Sequence, residues 1–257
     1  MRHPWIYGLL LYSLSVLSLR AAPILGTAST FSVLGGSTVT NAGPTVLSGD
    51  LGASPGSTIT GFPPGAVKGT TYAGTAVAAQ AEADALAAYS LLGSSTYPVT
   101  QDLTGTDLGG LTLTPGVYTF TTTAQLTGPL TLDLQGDPNA LFIFRIGTAL
   151  TTASDSSVTT IGGTDCCNVY WLIGSSATLG ANSVFQGDIL ADQSITLSSG
   201  ADIINGSALA LNGAVTLDTN NISTAISSEI PEPGALALLG AGLFALVLLR
   251  PTPKRET

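Results

Sequence analysis

Near its C-terminal end the chain repeats a four-residue pattern, and the length of that repeat limits the kind of core it can build. Ser176-Ala177-Thr178-Leu179, Ser194-Ile195-Thr196-Leu197 and Ala214-Val215-Thr216-Leu217 place threonines 18 and 20 residues apart. Within each segment, apolar residues alternate with small or hydroxyl-bearing ones, so one strand face looks inward and the other outward. A second series keeps the same beat: Phe185-Gln186-Gly187-Asp188-Ile189-Leu190-Ala191 matches Ile204-Asn205-Gly206-Ser207-Ala208-Leu209-Ala210, 19 residues later. A unit this short cannot bury its apolar face alone; stacked as coils of a solenoid, each one covers its neighbours. The outward residues then form a flat ladder of threonine and serine with almost no charge.

The two ends of the chain stand apart from this pattern. Residues 1–22 carry Arg2, the apolar run Trp5 to Leu19 and then small residues, which read as a secretory signal peptide. At the other end, Pro231-Glu232-Pro233 precedes the apolar stretch Gly234 to Leu249, followed by Arg250, Lys254 and Arg255. As a helix that stretch would span about 24 Å, slightly short of a hydrocarbon core of about 30 Å, with the basic tail held in the cytoplasm. Residues 230–257 resemble the PEP-CTERM sorting signals of Gram-negative bacteria. The resemblance implies a transient membrane segment, recognition by an exosortase at Pro231, Glu232 and Pro233, and release or attachment at the cell envelope.

Residues 23–229 remain as one domain. Their only basic side chains are Lys68 and Arg145, against fourteen acidic ones, a formal balance of −12. Such a surface repels phosphate backbones and excludes nucleic acid as a partner. His3, the only histidine, leaves with the signal peptide, which removes histidine triads, histidine-ligated zinc and imidazole acid–base chemistry. Asp50, Asp155, Asp188 and Asp202 sit beside small residues in turn-like contexts, where aspartate bonds its own backbone. Asp202 and Asp218 show no regular calcium spacing. No metal, cofactor or catalytic residue is expected. Cys166 and Cys167 are sequence neighbours, too close for a useful disulfide, and read as small buried filler.

Along the domain, short extended pieces (Phe31 to Leu34, Thr38-Val39-Thr40, Thr58-Ile59-Thr60) alternate with turns such as Ser54-Pro55-Gly56. Thr75 to Leu92 is alanine-rich, lacks glycine and proline, and ends at Gly93. Val77, Ala81, Ala85, Ala88 and Leu92 make one apolar stripe, with Gln80, Glu82 and Asp84 on the other side. This predicts one helix of about five turns on the flank of the solenoid. Strands resume after Pro98. Leu141 to Phe144 is apolar on both faces and should be covered on both, with Arg145 in a structural ion pair with a carboxylate.

From Gly26 to about Ile222 the sequence resembles the secreted microbial ice-binding proteins. The resemblance rests on Leu25 to Leu34, Gly49-Asp50-Leu51-Gly52-Ala53-Ser54-Pro55-Gly56, Cys167 to Trp171 and Leu211 to Asp218. It implies a mainly β fold, a right-handed discontinuous β-solenoid with one long helix along its axis, and binding to ice crystals without catalysis. Adjacent strands lie about 4.8 Å apart and alternate residues about 6.7 Å apart, close to oxygen repeats on ice. Threonine is stiff at χ1, so rows of methyls and hydroxyls hold register. The expected ice-contacting residues are Thr151, Ser176, Thr178, Ser194, Thr196, Ser198 and Thr216. Thr148 joins them because Thr148-Ala149-Leu150-Thr151 resembles a threonine-alanine-x-threonine motif of that family. Gly180, Ala214 and Asp218 interrupt the ladder, leaving another face of the prism open as the active one. A surface scaffold or adhesin that contacts extracellular polysaccharide is the alternative function.

Overall fold

The computed structural model describes residues 24–163 and 168–224. The signal peptide, Cys166 and Cys167, and residues 230–257 lie outside the described residues. Within them the strands pair in parallel and form three sheets of nine, seven and eight strands. One coil shows the route. Asp188–Ala191 lies in the first sheet, Ile195–Leu197 in the second and Asp202–Ile204 in the third; Ala208–Ala210 then rejoins the first. Each strand turns alternate residues inward, so the three sheets bury a shared apolar core that includes Leu126, Leu150, Leu179, Ile195, Leu197 and Leu217. Tyr118, Phe144 and Trp171 stack within it at centroid distances of 5.4 and 3.8 Å, and Phe185 lies tilted against Trp171 at 4.7 Å. The Trp171 indole N–H donates to the Gln186 carbonyl at 3.0 Å, so the ring brings no unpaired donor into the core. Coils approach closely at the corners: a Cβ on Gly206 would collide with the Gly187 carbonyl.

Chain order and spatial order differ. Val215–Leu217 pairs on one side with Ile195–Leu197 and on the other with Thr38–Asn41. The first described strand, Phe31–Gly35, is therefore third from one end of the nine-stranded sheet, and the coils that follow build outward to Thr58–Thr60 and Thr71–Ala73 at that end. It then crosses to Gln101–Asp102 at the opposite end of the nine-stranded sheet and works back to where it began. The helix Ala76–Gly93 makes most of that crossing. Eight inter-strand steps come to roughly 38 Å and 18 helical residues to roughly 27 Å, so the connecting residues supply the rest.

The helix packs on the nine-stranded sheet through Ala78, Ala81, Ala85, Ala88 and Leu92. Thr75 caps it, accepting from the Ala78 N–H at 3.3 Å. Val77, expected in this stripe, is 47% exposed, and Ala78 takes its place. At about 100° per residue Val77 lies about 80° from Ala85 around the axis, and Ala78 only about 20°. Glu82 also departs from expectation. Both its carboxyl oxygens are buried without a hydrogen-bond partner, and burial pushes its pKa up to about 8. Gln80 and Asp84 do face outward, joined at 2.8 Å, and Asp84 accepts from the Thr27 N–H and hydroxyl.

Leu141–Ile146 is covered on both sides as expected: Phe142, Phe144 and Ile146 enter the solenoid core while Ile143 meets the helix. Arg145 is not in the expected ion pair. Its guanidinium donates to the carbonyls of Leu92 at 2.9 Å, Ser94 at 2.7 Å and Tyr97 at 2.9 Å. The end of a helix leaves carbonyls without partners and carries partial negative charge, which a cation satisfies without any carboxylate.

Candidate functional site

The three sheets offer different outer surfaces. The nine-stranded sheet is covered by the helix. The eight-stranded sheet turns out an irregular row in which Pro129, Ser157, Val184 and Asp202 stand opposite one another, and Asn221, Val46 and Ala66 continue it. Beside it Thr112, Thr131 and Thr159 stand in register, but that row continues through Gln186 and Ile204, so neither row repeats along the whole sheet.

The seven-stranded sheet is uniform. Its register places Gln125 opposite Thr151, Thr151 opposite Thr178, Thr178 opposite Thr196 and Thr196 opposite Thr216. Thr216 then meets Thr40, and Thr40 meets Thr60. Six of the seven places in this central row are threonine, and none is charged. The strands of Thr151, Thr178, Thr196 and Thr216 alternate buried, outward, buried, while Thr40 follows buried Val39 and Thr60 follows partly buried Ile59. The Thr40 hydroxyl reaches the Thr216 hydroxyl at 3.5 Å across coils 176 residues apart in sequence.

Sequence reasoning placed Thr151, Thr178, Thr196 and Thr216 in one ladder, and the register brings them together. Ser176 and Ser194 lie two residues before Thr178 and Thr196, just ahead of their strands; half-buried, they accept the backbone N–H of Ser194 at 3.3 Å and of Ala214 at 3.2 Å. Their hydroxyls are thus partly used within the ladder. Ser198 follows the strand end on the same side, half-buried. Thr148 is exposed in the bend before Leu150–Thr152, outside the central row. Gly180, Ala214 and Asp218 flank that row and do not interrupt it. Sequence reasoning missed Gln125, Thr40 and Thr60. Thr38-Val39-Thr40 and Thr58-Ile59-Thr60 repeat the alternation of the later strands, which is the signal that could have found them.

The corner beside this row is fixed by Asn220, which is fully buried. Its amide donates to the carbonyls of Ser198 at 2.9 Å and Ala201 at 2.7 Å, and its N–H donates to the Thr45 hydroxyl at 3.1 Å. That bonding ties three successive coils together at one edge of the threonine sheet.

The aspartates outside the row are engaged locally. Asp50 accepts from the Thr30 hydroxyl and the Thr70 N–H, and Asp202 from the Asn221 N–H. Asp155 occupies a left-handed turn position with φ 58°. Asp188 accepts from the Ser207 hydroxyl at 2.7 Å, yet burial raises its pKa to about 7. Among the described residues no three histidine, cysteine or acidic side chains come together in a way that could hold a metal ion.

Comparison with known proteins agrees with the coiled fold. The family described as ice-binding-like matches residues 33–223, from the first strand of the nine-stranded sheet to the end of the last coil. This chain belongs to the ice-binding-like family. It is similar to an ice-binding protein of Nostoc sp. (strain HG1), 57% identical over 237 residues that cover 89% of this chain and 87% of the relative. Among solved structures, it resembles an ice binding protein from an Antarctic biological consortium. The TM-score is 0.73 and the identity 42%, over 79% of this chain and 91% of the other. The ice-binding protein of the Antarctic ascomycete Antarctomyces psychrotrophicus gives a TM-score of 0.74 at 40% identity, covering 79% and 98%. A PEP-CTERM protein-sorting motif matches residues 229–255 of this ice-binding-like chain.

Proposed function

We propose that this chain adsorbs to ice through the outward rows of its seven-stranded sheet and so slows crystal growth and recrystallisation. The observation that carries the proposal is the central row: Thr151, Thr178, Thr196, Thr216, Thr40 and Thr60 in unbroken register and uncharged. Methyls on stiff χ1 torsions hold water in ordered cages while the hydroxyls anchor it. Neighbouring strands repeat at about 4.8 Å, so the ordered layer can merge with a crystal of similar spacing. Each contact is weak. Affinity comes from many contacts on a preorganised surface that loses little freedom on adsorption. Ser176, Ser194 and Ser198 extend the contact at its margins, and Thr148 at the edge. This activity uses no cofactor and no catalytic step, since the binding surface itself is the active element.

The sorting motif supports an extracellular or envelope-attached bacterial location. Exosortase action at Pro231, Glu232 and Pro233 would act on the chain after the apolar segment had held it in the membrane. Among the described residues no helix is long and apolar enough to cross a membrane; the segment from Gly234 to Leu249 lies outside them.

The test is thermal hysteresis and ice recrystallisation inhibition by the purified protein, alone and with Thr178→Tyr or Thr196→Tyr. Each bulky ring should lower activity severalfold while the melting temperature stays nearly constant, because both side chains point away from the core. Activity unchanged by both substitutions would remove this sheet as the ice face. A protein inactive at high concentration that adsorbs to polysaccharide would instead be a surface adhesin.

A further inference from the structure

We infer that the envelope tether leaves the solenoid at the corner opposite the threonine sheet, so that an attached molecule presents its threonine rows away from the cell. This rests on the envelope attachment included in the proposed function. The last described strand, Asn221–Ser223, belongs to the eight-stranded sheet and pairs with Val46–Leu47. Beyond it the Thr224 N–H donates to the Ser48 hydroxyl at 2.9 Å. Thr224 and Thr30 both border Gly49, the residue that carries the chain from the eight-stranded to the nine-stranded sheet. The chain therefore runs toward Pro231 from the corner between those two sheets. In a three-sided prism, that corner faces the third side, the seven-stranded sheet.

Covalent reach restricts the tether further. A coil here is 18 to 20 residues long, the separations of Thr178, Thr196 and Thr216. At about 3.3 Å per residue its perimeter is about 60 Å, so the path from this corner to the middle of the threonine sheet is about 30 Å. From Thr224 to Pro231 there are seven residue steps, at most about 24 Å when fully extended. A tether that short cannot bring the middle of the threonine sheet round to the point of attachment. The exit also lies in the coil that carries Thr216, near the middle of the row, so the domain is held across from its binding surface and not by one end. A cell bearing such molecules would adhere to ice through them.

The test uses full-length chain in a bacterium that carries an exosortase, with Cys166→Ser and Cys167→Ser as background. Single cysteines are placed on the row (Thr178→Cys, Thr216→Cys) or at the exit corner (Ser48→Cys, Thr70→Cys). Cells are treated with a bulky membrane-impermeant maleimide, before and after detergent extraction. The expected result is labelling severalfold faster on the row than at the corner on cells, and comparable rates after extraction. Equal rates on cells, the reverse order, no labelling before extraction, or no cell-bound chain would each overturn the inference. Labelling requires no ice. Loss of ice activity with the pattern intact would thus count against the functional proposal alone, and loss of the pattern with ice activity intact against this inference alone.

Discussion

Glu82 shows how a single residue sets a pH response unrelated to the threonine rows. Its two carboxyl oxygens are buried without partners under the helix, next to a cavity of about 240 Å³ lined by Ser54, Pro55, Ala79, Ala83, Leu86, Leu211 and Asn212. Burial disfavours the charged form and raises the pKa from 4.5 to about 8. The folded state therefore holds this proton where the unfolded chain has released it. Stability from this group is fully present below about pH 4.5 and is lost as pH rises through about 8, with a total on the order of 5 kcal/mol. Asp188, raised to about 7, acts in the same direction over a lower window. The melting temperature should fall between pH 5 and pH 9. Glu82→Met should flatten most of that slope and raise the melting temperature at pH 9, as followed by circular dichroism. A variant as pH-sensitive as the parent would show that Glu82 finds a partner in solution. Residue-level sequence reading failed here because helical spacing puts Glu82 on a flank of the helix, about 60° from Ala85. Whether a flanking side chain turns in or out depends on what the sheet leaves open beneath it.

At the scale of elements, the helix shows both what sequence pattern can give and where it stops. Alanine spacing located it within one residue, from Ala76 to Gly93, because intrinsic propensity and the absence of glycine and proline act locally. The partner of Arg145 was not legible. The strand Leu141–Ile146 is 48 to 53 residues from the three carbonyls that its arginine caps, and only the packing of helix on sheet brings them together. Three charge-assisted hydrogen bonds fix both the end of the helix and the segment that leads to Gln101–Asp102. Arg145→Met should lower stability by about 3 kcal/mol, and Arg145→Lys by less, since one ammonium cannot reproduce the planar fork. Chemical denaturation would measure both. Thermal hysteresis per folded molecule should stay at the parent level in either variant, because the helix lies on a different sheet from the threonine row.

Over the whole molecule, the threonine row is a product of chain topology. Sequence repeats revealed Thr178, Thr196 and Thr216 because their coils are consecutive, and the internal match added Thr151. Thr40 and Thr60 stayed hidden because their coils were separated from the others by the helical crossing, and no local period links residues 40 and 216. Closing the discontinuous solenoid seats the two groups side by side, which lengthens the row from four threonines to six. In a contiguous water layer a central residue is flanked by ordered neighbours on both sides, and a terminal one on a single side. Thr196, the middle of the seven places, should therefore matter more than Thr60 at the end. Thr196→Tyr should lower thermal hysteresis several times more than Thr60→Tyr at equal concentration. At the opposite end, Gln125 occupies the one place in the row that is not threonine, on a strand with the same buried, exposed, buried alternation. Its flexible side chain cannot hold water in register as a β-branched residue can. Gln125→Thr should raise activity modestly above the parent by completing the row. Equal losses from the central and terminal tyrosines, with no gain from Gln125→Thr, would mean that each threonine acts alone and that the continuity of the row adds nothing.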